Sequence, residues 1–248
     1  MLSSGEQSLL LSYARKLDIA VRSNNLDDVE LILKEPLITP NIKDLDGFTL
    51  AHVAVGVSPQ VLQLLLQHKQ IDVNIKNNNG NTAFHYFCSN ATLDIVKTFD
   101  MFVKKGVSVN MQNDSGETAL HRACLNTSTG RLLVILLCKN GANPNVQNTN
   151  GDTPLHYAVR LRREDLVYLL LRGGADPNVR SRDGMALVDV AQREAGQTRI
   201  SDILQRHDAY QGQFDESLNE PKSRMPPVTR HTGPPTLLSL PWEVLANI

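Results

Sequence analysis

Residues 152–158 read Asp-Thr-Pro-Leu-His-Tyr-Ala, and weaker copies of this stretch recur along the chain. The copies are Phe-Thr-Leu-Ala-His-Val-Ala at 48–54, Asn-Thr-Ala-Phe-His-Tyr-Phe at 81–87, Glu-Thr-Ala-Leu-His-Arg-Ala at 117–123 and an eroded Met-Ala-Leu-Val-Asp-Val-Ala at 185–191. A glycine precedes each copy, at positions 47, 80, 116, 151 and 184, which gives spacings of 33, 36, 35 and 33 residues. Because a unit of this size cannot bury its own apolar face, the repetition predicts a stacked solenoid, an architecture that mostly serves binding.

A second repeated stretch precedes each of these glycines. It reads Pro-Asn-Ile-Lys at 40–43, Val-Asn-Ile-Lys at 73–76, Val-Asn-Met-Gln at 109–112, Pro-Asn-Val-Gln at 144–147 and Pro-Asn-Val-Arg at 177–180. An extended stretch followed by a polar turn and a glycine predicts a β-hairpin-like finger, in which the glycine adopts a positive φ. The threonines at 49, 82, 118 and 153 then suit a helix N-cap, and Pro154 suits the first helical turn.

Leucine-rich segments follow the motif at 61–66, 132–137 and 166–171. They predict a second helix that is buried between its neighbours, because it is apolar on most sides. Gly106, Gly141 and Gly174 match the preference for glycine just after a helix end. The predicted unit is therefore a finger, a helix, a short turn and a second helix, and the predicted fold class is all-α.

The pattern G-x-T-P-L-H-x-A, the leucine-rich second helix and the Ala-Asp-Pro-Asn-Val finger resemble the ankyrin repeat family. The match is nearly complete from Gly151 to Asn178. The repeats that begin at Gly80 and Gly116 match with two or three extra residues, which we place in their second helices. The eroded copy suits a terminal capping unit, and residues 17–34 resemble an N-terminal repeat without a finger. The resemblance implies about six repeats over residues 10–206.

The composition excludes several classes of protein. The chain has 248 residues and a formal net charge of −1, whereas nucleic-acid and membrane-surface proteins usually carry a large basic excess. No apolar run reaches the roughly 20 residues that cross a bilayer, and no secretory signal begins the chain. Cys88, Cys124 and Cys138 form no pairing framework, so we expect reduced, buried thiols in a cytoplasmic or nuclear protein. We also expect a monomer, because the finger tips are polar.

Four histidines occupy the same motif position, at 52, 85, 121 and 156. A metal-binding array would need cysteine or carboxylate partners at ligand spacing, and none recurs. We therefore interpret each imidazole as a bridge that hydrogen-bonds the backbone of the adjacent repeat. No nucleotide-binding loop, zinc-protease, nucleophile-elbow or kinase signature is present. The sequence predicts no catalytic, cofactor-binding or metal site, and hence a protein that is not an enzyme.

The resemblance implies that the finger tips and the outward side of the first helices form a concave partner-binding face. Tip side chains are expected to be free of packing, so their chemistry should approximate that of recognition. The predicted partner-binding residues are Asp46, Asn77, Asn78, Asn113, Asp114, Asn148, Asn150, Arg160, Arg162, Arg163, Arg180 and Arg182. The arginine-rich end would meet acidic or phosphorylated segments. The alternative is a solvated surface with local pairing to Glu164 and Asp165.

Two finger asparagines are candidates for modification. The family resemblance implies that an asparagine hydroxylase prefers leucine eight residues, and an acid two residues, before its target. Asn74 follows Leu66 and Asp72 at those distances, and Asn178 follows Leu170 and Asp176. The alternative is that both are structural asparagines that support the turn.

Past residue 207 the helical pattern stops. Residues 208–236 are rich in proline and polar residues and predict a flexible linker. Residues 237–248 predict the start of an amphipathic helix that contains the chain's only tryptophan. This stretch resembles the opening of an F-box, which would dock a Skp-type adaptor of a cullin ubiquitin ligase. The candidate docking residues are Leu240, Pro241, Trp242, Val244, Leu245 and Ile248. The alternatives are the start of another domain, a chance match or a self-docking terminus.

Together these features predict a protein–protein interaction module that binds a partner on the ankyrin array. It would serve as the substrate-recognition part of a cullin-type ubiquitin-ligase receptor. The alternative is the regulatory array of a larger signalling enzyme, a kinase or a GTPase regulator, whose catalytic part lies beyond residue 248. A purely structural role is the third option.

Overall fold

The structure, a computed structural model, describes residues 4–35, 38–193 and 199–204, with side chains from residue 12 onward. Within these ranges the chain is helical, with short turns between the helices. The helices are α1 (Ser4–Arg22), α2 (Leu26–Leu33), α3 (Leu50–Val57), α4 (Pro59–Gln67), α5 (Ala83–Asn90), α6 (Ile95–Lys104), α7 (Ala119–Leu125), α8 (Gly130–Lys139), α9 (Pro154–Arg160), α10 (Glu164–Arg172), α11 (Leu187–Arg193) and α12 (199–204).

These helices form six successive pairs, as the repeat analysis predicts. Each first helix packs on the first helix of the next repeat, from α1 through α3, α5, α7 and α9 to α11. The second helices α2, α4, α6, α8 and α10 pack in a parallel row. The pair α1 and α2 confirms the N-terminal repeat inferred from residues 17–34. The all-α solenoid is therefore confirmed.

The motif threonine and histidine begin the first helix of the inner repeats. Thr118 is the N-cap of α7, and its backbone N–H donates to Nδ1 of His121 at 3.1 Å. The same pair recurs with Thr49, Thr82 and Thr153. Because Nδ1 accepts this bond, the imidazole carries its proton on Nε2. Pro154 occupies the first turn of α9, where its missing N–H costs nothing.

Three of the four histidines bridge adjacent repeats, as predicted. Nε2 of His52 lies 3.0 Å from the carbonyl oxygen of Asn81, that of His85 lies 3.0 Å from Met111, and that of His121 lies 3.0 Å from Asp152. The prediction is wrong for His156. Its Nε2 is buried and makes no hydrogen bond with any described residue. The reason is the eroded sixth repeat, which brings no carbonyl to the equivalent place.

The fingers are hydrogen-bonded turns. The backbone N–H of Asn113 donates to the carbonyl of Glu117 at 2.9 Å, and Gly116, with a φ of 73°, donates back to Asn113 at 2.9 Å. Among the described residues a single isolated bridge, between Lys43 and Thr49, has the antiparallel ladder geometry. Each finger is thus a tight turn closed by its own backbone.

The extra residues of the third and fourth repeats are divided between the second helix and the connection before it. The second helices α6 and α8 have 10 residues, whereas α4 and α10 have 9. Four residues separate α5 from α6 and α7 from α8, whereas Ser58 alone separates α3 from α4 and three residues separate α9 from α10. Our placement of these insertions in the second helices was therefore right only in part. A turn accommodates polar residues more easily than a buried helix, because side chains can pair its backbone groups. Asn126 does so, since its Oδ1 accepts from the N–H of Ser128 and of Thr129.

The core runs through the whole array and changes character in the third repeat. Leucine dominates elsewhere, but the third repeat packs Phe84, Phe87, Phe99 and Phe102 with ring centroids 5.1 to 6.1 Å apart. Cys88 and Cys124 are buried as expected, and burial raises the pKa of both thiols. Cys138 is only partly buried, so the expectation that all three are core residues was wrong for this one.

Candidate protein-binding surface

The first residue of each finger turn supports the backbone. Oδ1 of Asn113 accepts hydrogen bonds from the N–H of Ser115 at 3.0 Å and of Glu117 at 2.9 Å. Asp44, Asn77 and Asn148 make the same pair of bonds in their turns. The side chains of Asn77, Asn113 and Asn148 are consequently buried. The premise that these three predicted tip residues are free of packing was therefore wrong, because an Asx turn uses their oxygen.

Neighbouring fingers are joined at their tips by backbone hydrogen bonds. The N–H of Thr149 donates to the carbonyl of Ser115 at 2.9 Å, and equivalent bonds start at Asn78, Asp114 and Arg182. A Cβ at Gly116 would lie 2.9 Å from both Cα of Asn148 and the nitrogen of Thr149, so this close approach requires glycine. The fingers thus form one continuous, internally bonded row.

A second row of bonds is made by the asparagine of each finger landmark. Nδ2 of Asn110 donates to the carbonyl of Gly141 at 2.9 Å, and Oδ1 of the same residue accepts from the N–H of Asn143 at 2.7 Å. Asn41, Asn74 and Asn145 make the same two bonds to the next repeat. Asn178 is the last of the series, and its exposed amide bonds to no described residue.

The second and third positions of each turn carry exposed side chains that do not support their own turn, although Nδ2 of Asn78 donates to the carbonyl of Leu45 in the finger before it at 2.9 Å. Leu45 is 100% exposed, and the second position is otherwise Asn78, Asp114, Thr149 or Arg182. The third position is Asp46, Asn79, Ser115, Asn150 or Asp183. The predicted residues Asp46, Asn78, Asp114, Asn150 and Arg182 are among these exposed side chains. We call the exposed turn side chains, together with the residues that follow the motif histidines, the finger face.

The residue that follows each motif histidine completes this face, and sequence reasoning missed it. These residues are Val53, Tyr86, Arg122 and Tyr157, all partly exposed. The hydroxyl of Tyr157 donates to Oε1 of Glu117 at 2.5 Å, and Nη1 of Arg122 lies 3.3 Å from Oε2 of the same carboxylate. The sequence does contain a signal for them. The residue after the motif histidine differs between repeats, whereas the motif residues around it hardly change.

Glu117 is the best-paired acid on this face. Burial alone raises the pKa of its carboxyl, but hydrogen bonds from Tyr157 and Asn113 and the nearby Arg122 lower it below the usual value. The carboxylate therefore stays ionised and holds the two neighbouring side chains in fixed positions.

Some of the predicted arginines already form ion pairs within the protein, and others do not. Arg160 pairs with the buried carboxylate of Asp152. Arg163 is half-buried, donates to both oxygens of Asp165 at 3.0 Å and raises its own pKa through this pairing. Arg180 donates once to the carbonyl of Gly184 at 2.8 Å, and Arg182 is exposed. Arg162 is exposed in the connection between α9 and α10, with a φ of 55°.

A groove opens at the N-terminal end of the finger face. It has a volume of about 340 Å³ and lies between α1 and the first finger. Its apolar lining residues are Ala14, Ile19, Ile42, Phe48, Leu50 and Val53. The Phe48 ring lies 5.5 Å from that of Tyr86, so the groove continues into the rest of the face.

Within residues 4–35, 38–193 and 199–204, no helix is long and apolar enough to cross a membrane. The same residues contain no group of three or more histidine, cysteine, aspartate or glutamate side chains placed to hold a metal ion.

The fold and this surface define an ankyrin-type interaction module. A family model described as ankyrin repeats in three copies matches residues 17–99 and 97–181. The chain belongs to the ankyrin repeat family. This fold is typically a non-catalytic module that binds other proteins.

Relatives include larger signalling proteins. A probable serine/threonine-protein kinase of Dictyostelium discoideum is 41% identical over 153 residues, which are 60% of this chain and 18% of the kinase. The stress-activated protein kinase alpha of the same organism is 43% identical over 109 residues, covering 44% of this chain and 17% of the kinase. The human transient receptor potential cation channel subfamily A member 1 is 33% identical over 91 residues, 36% of this chain and 8% of the channel. The match spans less than a fifth of each.

Solved structures share the fold. The ankyrin repeat protein EF0377 superposes with a TM-score of 0.69 at 25% identity, covering 78% of this chain and 98% of that one. The ankyrin repeat domain of Bcl-3, a member of the IkappaB protein family, superposes with a TM-score of 0.61 at 26% identity, covering 77% and 97%. The segment 237–248, with its F-box-like pattern, lies outside the described residues.

Proposed function

We propose that the finger face binds an extended segment of a partner protein. One observation carries this proposal: in four of the five turns the side chain of the first residue supports the turn backbone, whereas the next two residues of every turn are exposed and chemically different from repeat to repeat. Asn113, Asp114 and Ser115 show the division, since the first is buried in its own turn and the other two are exposed. A rigid row of this kind presents recognition side chains at little entropic cost.

The charge on the face supports an acidic or phosphorylated segment at its C-terminal end. Arg160 and Arg163 already pair with Asp152 and Asp165. We therefore assign most of the electrostatic attraction for a negatively charged segment to the exposed residues Arg180 and Arg182. Guanidinium groups bind carboxylates and phosphates through paired N–H donors.

A double charge reversal tests this function. Random peptides displayed on phage are selected on the full chain, and the enriched peptides are then titrated onto R180E/R182E. Affinity should fall about tenfold or more, because two favourable contacts become repulsive. The matched control is K97E/K104E, which makes the same change of charge on exposed residues of α6. Equal affinity for the two double variants would remove the arginine end from the binding site.

The finer role that we propose is substrate recognition for a cullin-type ubiquitin ligase. It is supported by the F-box-like order of Leu240, Pro241, Val244, Leu245 and Ile248 in the sequence. Proximity labelling in cells, comparing residues 1–207 with the longest version of the protein, tests it. Cullin adaptors should be captured with the longer version only, and capture should fail after Leu240→Ala with Leu245→Ala. A longer version that captures no adaptor would remove this role.

The second candidate is a regulatory array within a larger signalling enzyme. It is supported by the kinases that resemble this chain over their ankyrin portions. The residues encoded after Ile248 in the parent gene separate the two candidates. A Phe-x-x-Leu turn and an apolar helix would support the F-box, whereas a strand followed by a glycine-rich loop would support a kinase.

We also propose that Asn178 is a better hydroxylation target than Asn74. The amide of Asn74 donates to Gly106 and accepts from Ser108, so modification has to break two bonds to the next repeat. The exposed amide of Asn178 makes neither bond to the described residues. Peptide mass analysis after co-expression with an asparagine hydroxylase should show one added oxygen at Asn178 first. Modification of Asn74 alone would contradict this order.

A further inference from the structure

The N-terminal groove exists because the first repeat has no finger. From the third repeat onward each finger bonds to the finger before it, as Thr149 does to Ser115. Helix α1 brings no such turn, so the apolar side of the first finger, with Ile42 and Phe48, faces Ile19 of α1 across open space. Ile19, which lines this space, is 65% exposed, so a large apolar side chain of α1 is open to a partner here.

The charges at the rim leave a local positive excess. Arg22 lies 2.9 Å from Asp18 and 3.8 Å from Asp44, so its single positive charge is shared between the two acids of the rim. Arg15 is exposed and forms no ion pair with the described residues, and Nζ of Lys43 donates only to the carbonyl of Lys76. The three cations here therefore outnumber the two acids by one, beside an apolar floor.

We infer that this groove is the anchor pocket for one large apolar side chain of a partner segment, flanked there by a carboxylate. The inference rests on the proposed function, since it assigns an end of the same finger face. The volume of about 340 Å³ is at the lower end of the range for ligand pockets and accommodates a leucine, methionine or phenylalanine side chain. The flanking carboxylate would meet Arg15 and Lys43.

The spacing of the repeats sets the length of the segment. Four steps separate the finger of Asp44 from that of Arg182. At about 9 Å per packed helix the path is roughly 36 Å, which an extended chain of about 11 residues spans. A partner that uses both ends of the face therefore carries its apolar anchor about 11 residues from its acidic or phosphorylated residues.

The decisive experiment uses two variants with matched exposure. Random peptides of about 20 residues, displayed on phage, are selected on the full chain, and the enriched peptides are titrated onto I19D and L31D. Ile19 and Leu31 are both 65% exposed aliphatic residues of the first repeat, but only Ile19 lines the groove. We expect I19D to weaken binding about tenfold or more and L31D to leave it unchanged. Equal thermal melting of both variants excludes a folding defect.

The outcomes separate this inference from the proposed function. Peptides that are lost with R180E/R182E but retained with I19D would overturn the anchor pocket and keep the finger face. Peptides insensitive to both changes would overturn both proposals, as would a selection that enriches nothing. For the carboxylate, R15E should weaken a peptide whose flanking acid is intact and restore binding when that acid is replaced by lysine. Absence of this rescue would remove the flanking charge from the inference.

Discussion

The inner junctions of the array and its last junction use the same motif with different results. Between the fourth and fifth repeats, His121 donates to Asp152, Asn110 bonds to Gly141 and Asn143, and Gly116 contacts the next finger. Between the fifth and sixth repeats, Asn145 makes the same two bonds, but Nε2 of His156, Oδ1 of Asp152 and Oγ of Ser181 are buried with no partner among the described residues.

The last finger is also the more loosely closed one. The N–H of Ser181 reaches the carbonyl of Met185 at 3.4 Å, whereas the same bond from Asn113 measures 2.9 Å. Gly184 has nothing within 4 Å of its Cβ position, and Asn178 lacks the next repeat's partners. An array is stabilised mainly by its junctions, so the sixth repeat should open before the others.

Gly116→Ala compared with Gly184→Ala should give the largest effect. Both glycines have positive φ values, which cost an alanine about 1–2 kcal/mol. At Gly116 the new methyl group also meets the backbone of Asn148 and Thr149 at 2.9 Å. We expect a loss of about 3 kcal/mol or more at Gly116 and about 1 kcal/mol at Gly184, measured by urea unfolding. Equal losses would show that the fingers do not press on each other.

His121→Ala should cost about 1 kcal/mol more than His156→Ala. Both changes remove the acceptor for the threonine N–H that begins the helix. Only the first removes the hydrogen bond to the next repeat. The check is the difference between the two unfolding free energies, with hydrogen exchange locating the opened repeat. A larger loss at His156 would reverse our ranking of the two junctions.

Mild acid should weaken the whole array, at both kinds of junction. Burial lowers the pKa of all four motif histidines, to about 4 for His85 and His156, from an unfolded value near 6.5. Below about pH 6.5 the imidazoles of the unfolded chain bind protons, whereas the buried imidazoles of the folded chain stay neutral. The contribution of these histidines to the free energy of unfolding is therefore fully present above about pH 6.5 and decreases as the pH falls towards about 4.

Thermal melting at about pH 7.5 and about pH 5 measures this effect before most carboxylates titrate. We expect a lower melting temperature at the lower pH. His156→Gln should reduce the difference between the two values, since it removes one of the titrating groups. A melting temperature that is the same at both pH values would contradict the neutral, buried state of these imidazoles.

Asn145→Ala compared with Asn178→Ala should give the smallest effect. Asn145 bonds to the carbonyl of Gly174 at 2.9 Å and to the N–H of Asp176 at 2.7 Å. Its loss should cost about 1 kcal/mol, and the loss of the exposed Asn178 should stay within about 0.5 kcal/mol. Chemical unfolding of both variants in parallel makes the comparison, and equal costs would refute the bridging role.

Prediction from the sequence succeeded where the chemistry is local. Thr118 and Pro154 belong at helix starts for reasons confined to one turn, and both are found there. It failed where neighbouring polar residues have similar chemistry and only the backbone geometry decides which of them is buried. Asn113 and Asp114 look alike in a polar turn, but the backbone geometry commits the first to the turn and exposes the second. The extra residues near Asn126 are likewise divided between the connection and helix α8, since that choice depends on burial.

The repeat period, the residues at the turns and the apolar second helices determined by themselves that this protein is an ankyrin solenoid. They could do so because each repeat is built from contacts within itself and with its neighbours. Only the tertiary structure decided which polar side chains are hydrogen-bonded within the array and where the finger face is open to a partner. Both depend on what the neighbouring repeat supplies. His121 finds a carbonyl there and His156 does not. The turn of Ser115 is covered by the next finger, whereas the α1 side of Phe48 is covered by none.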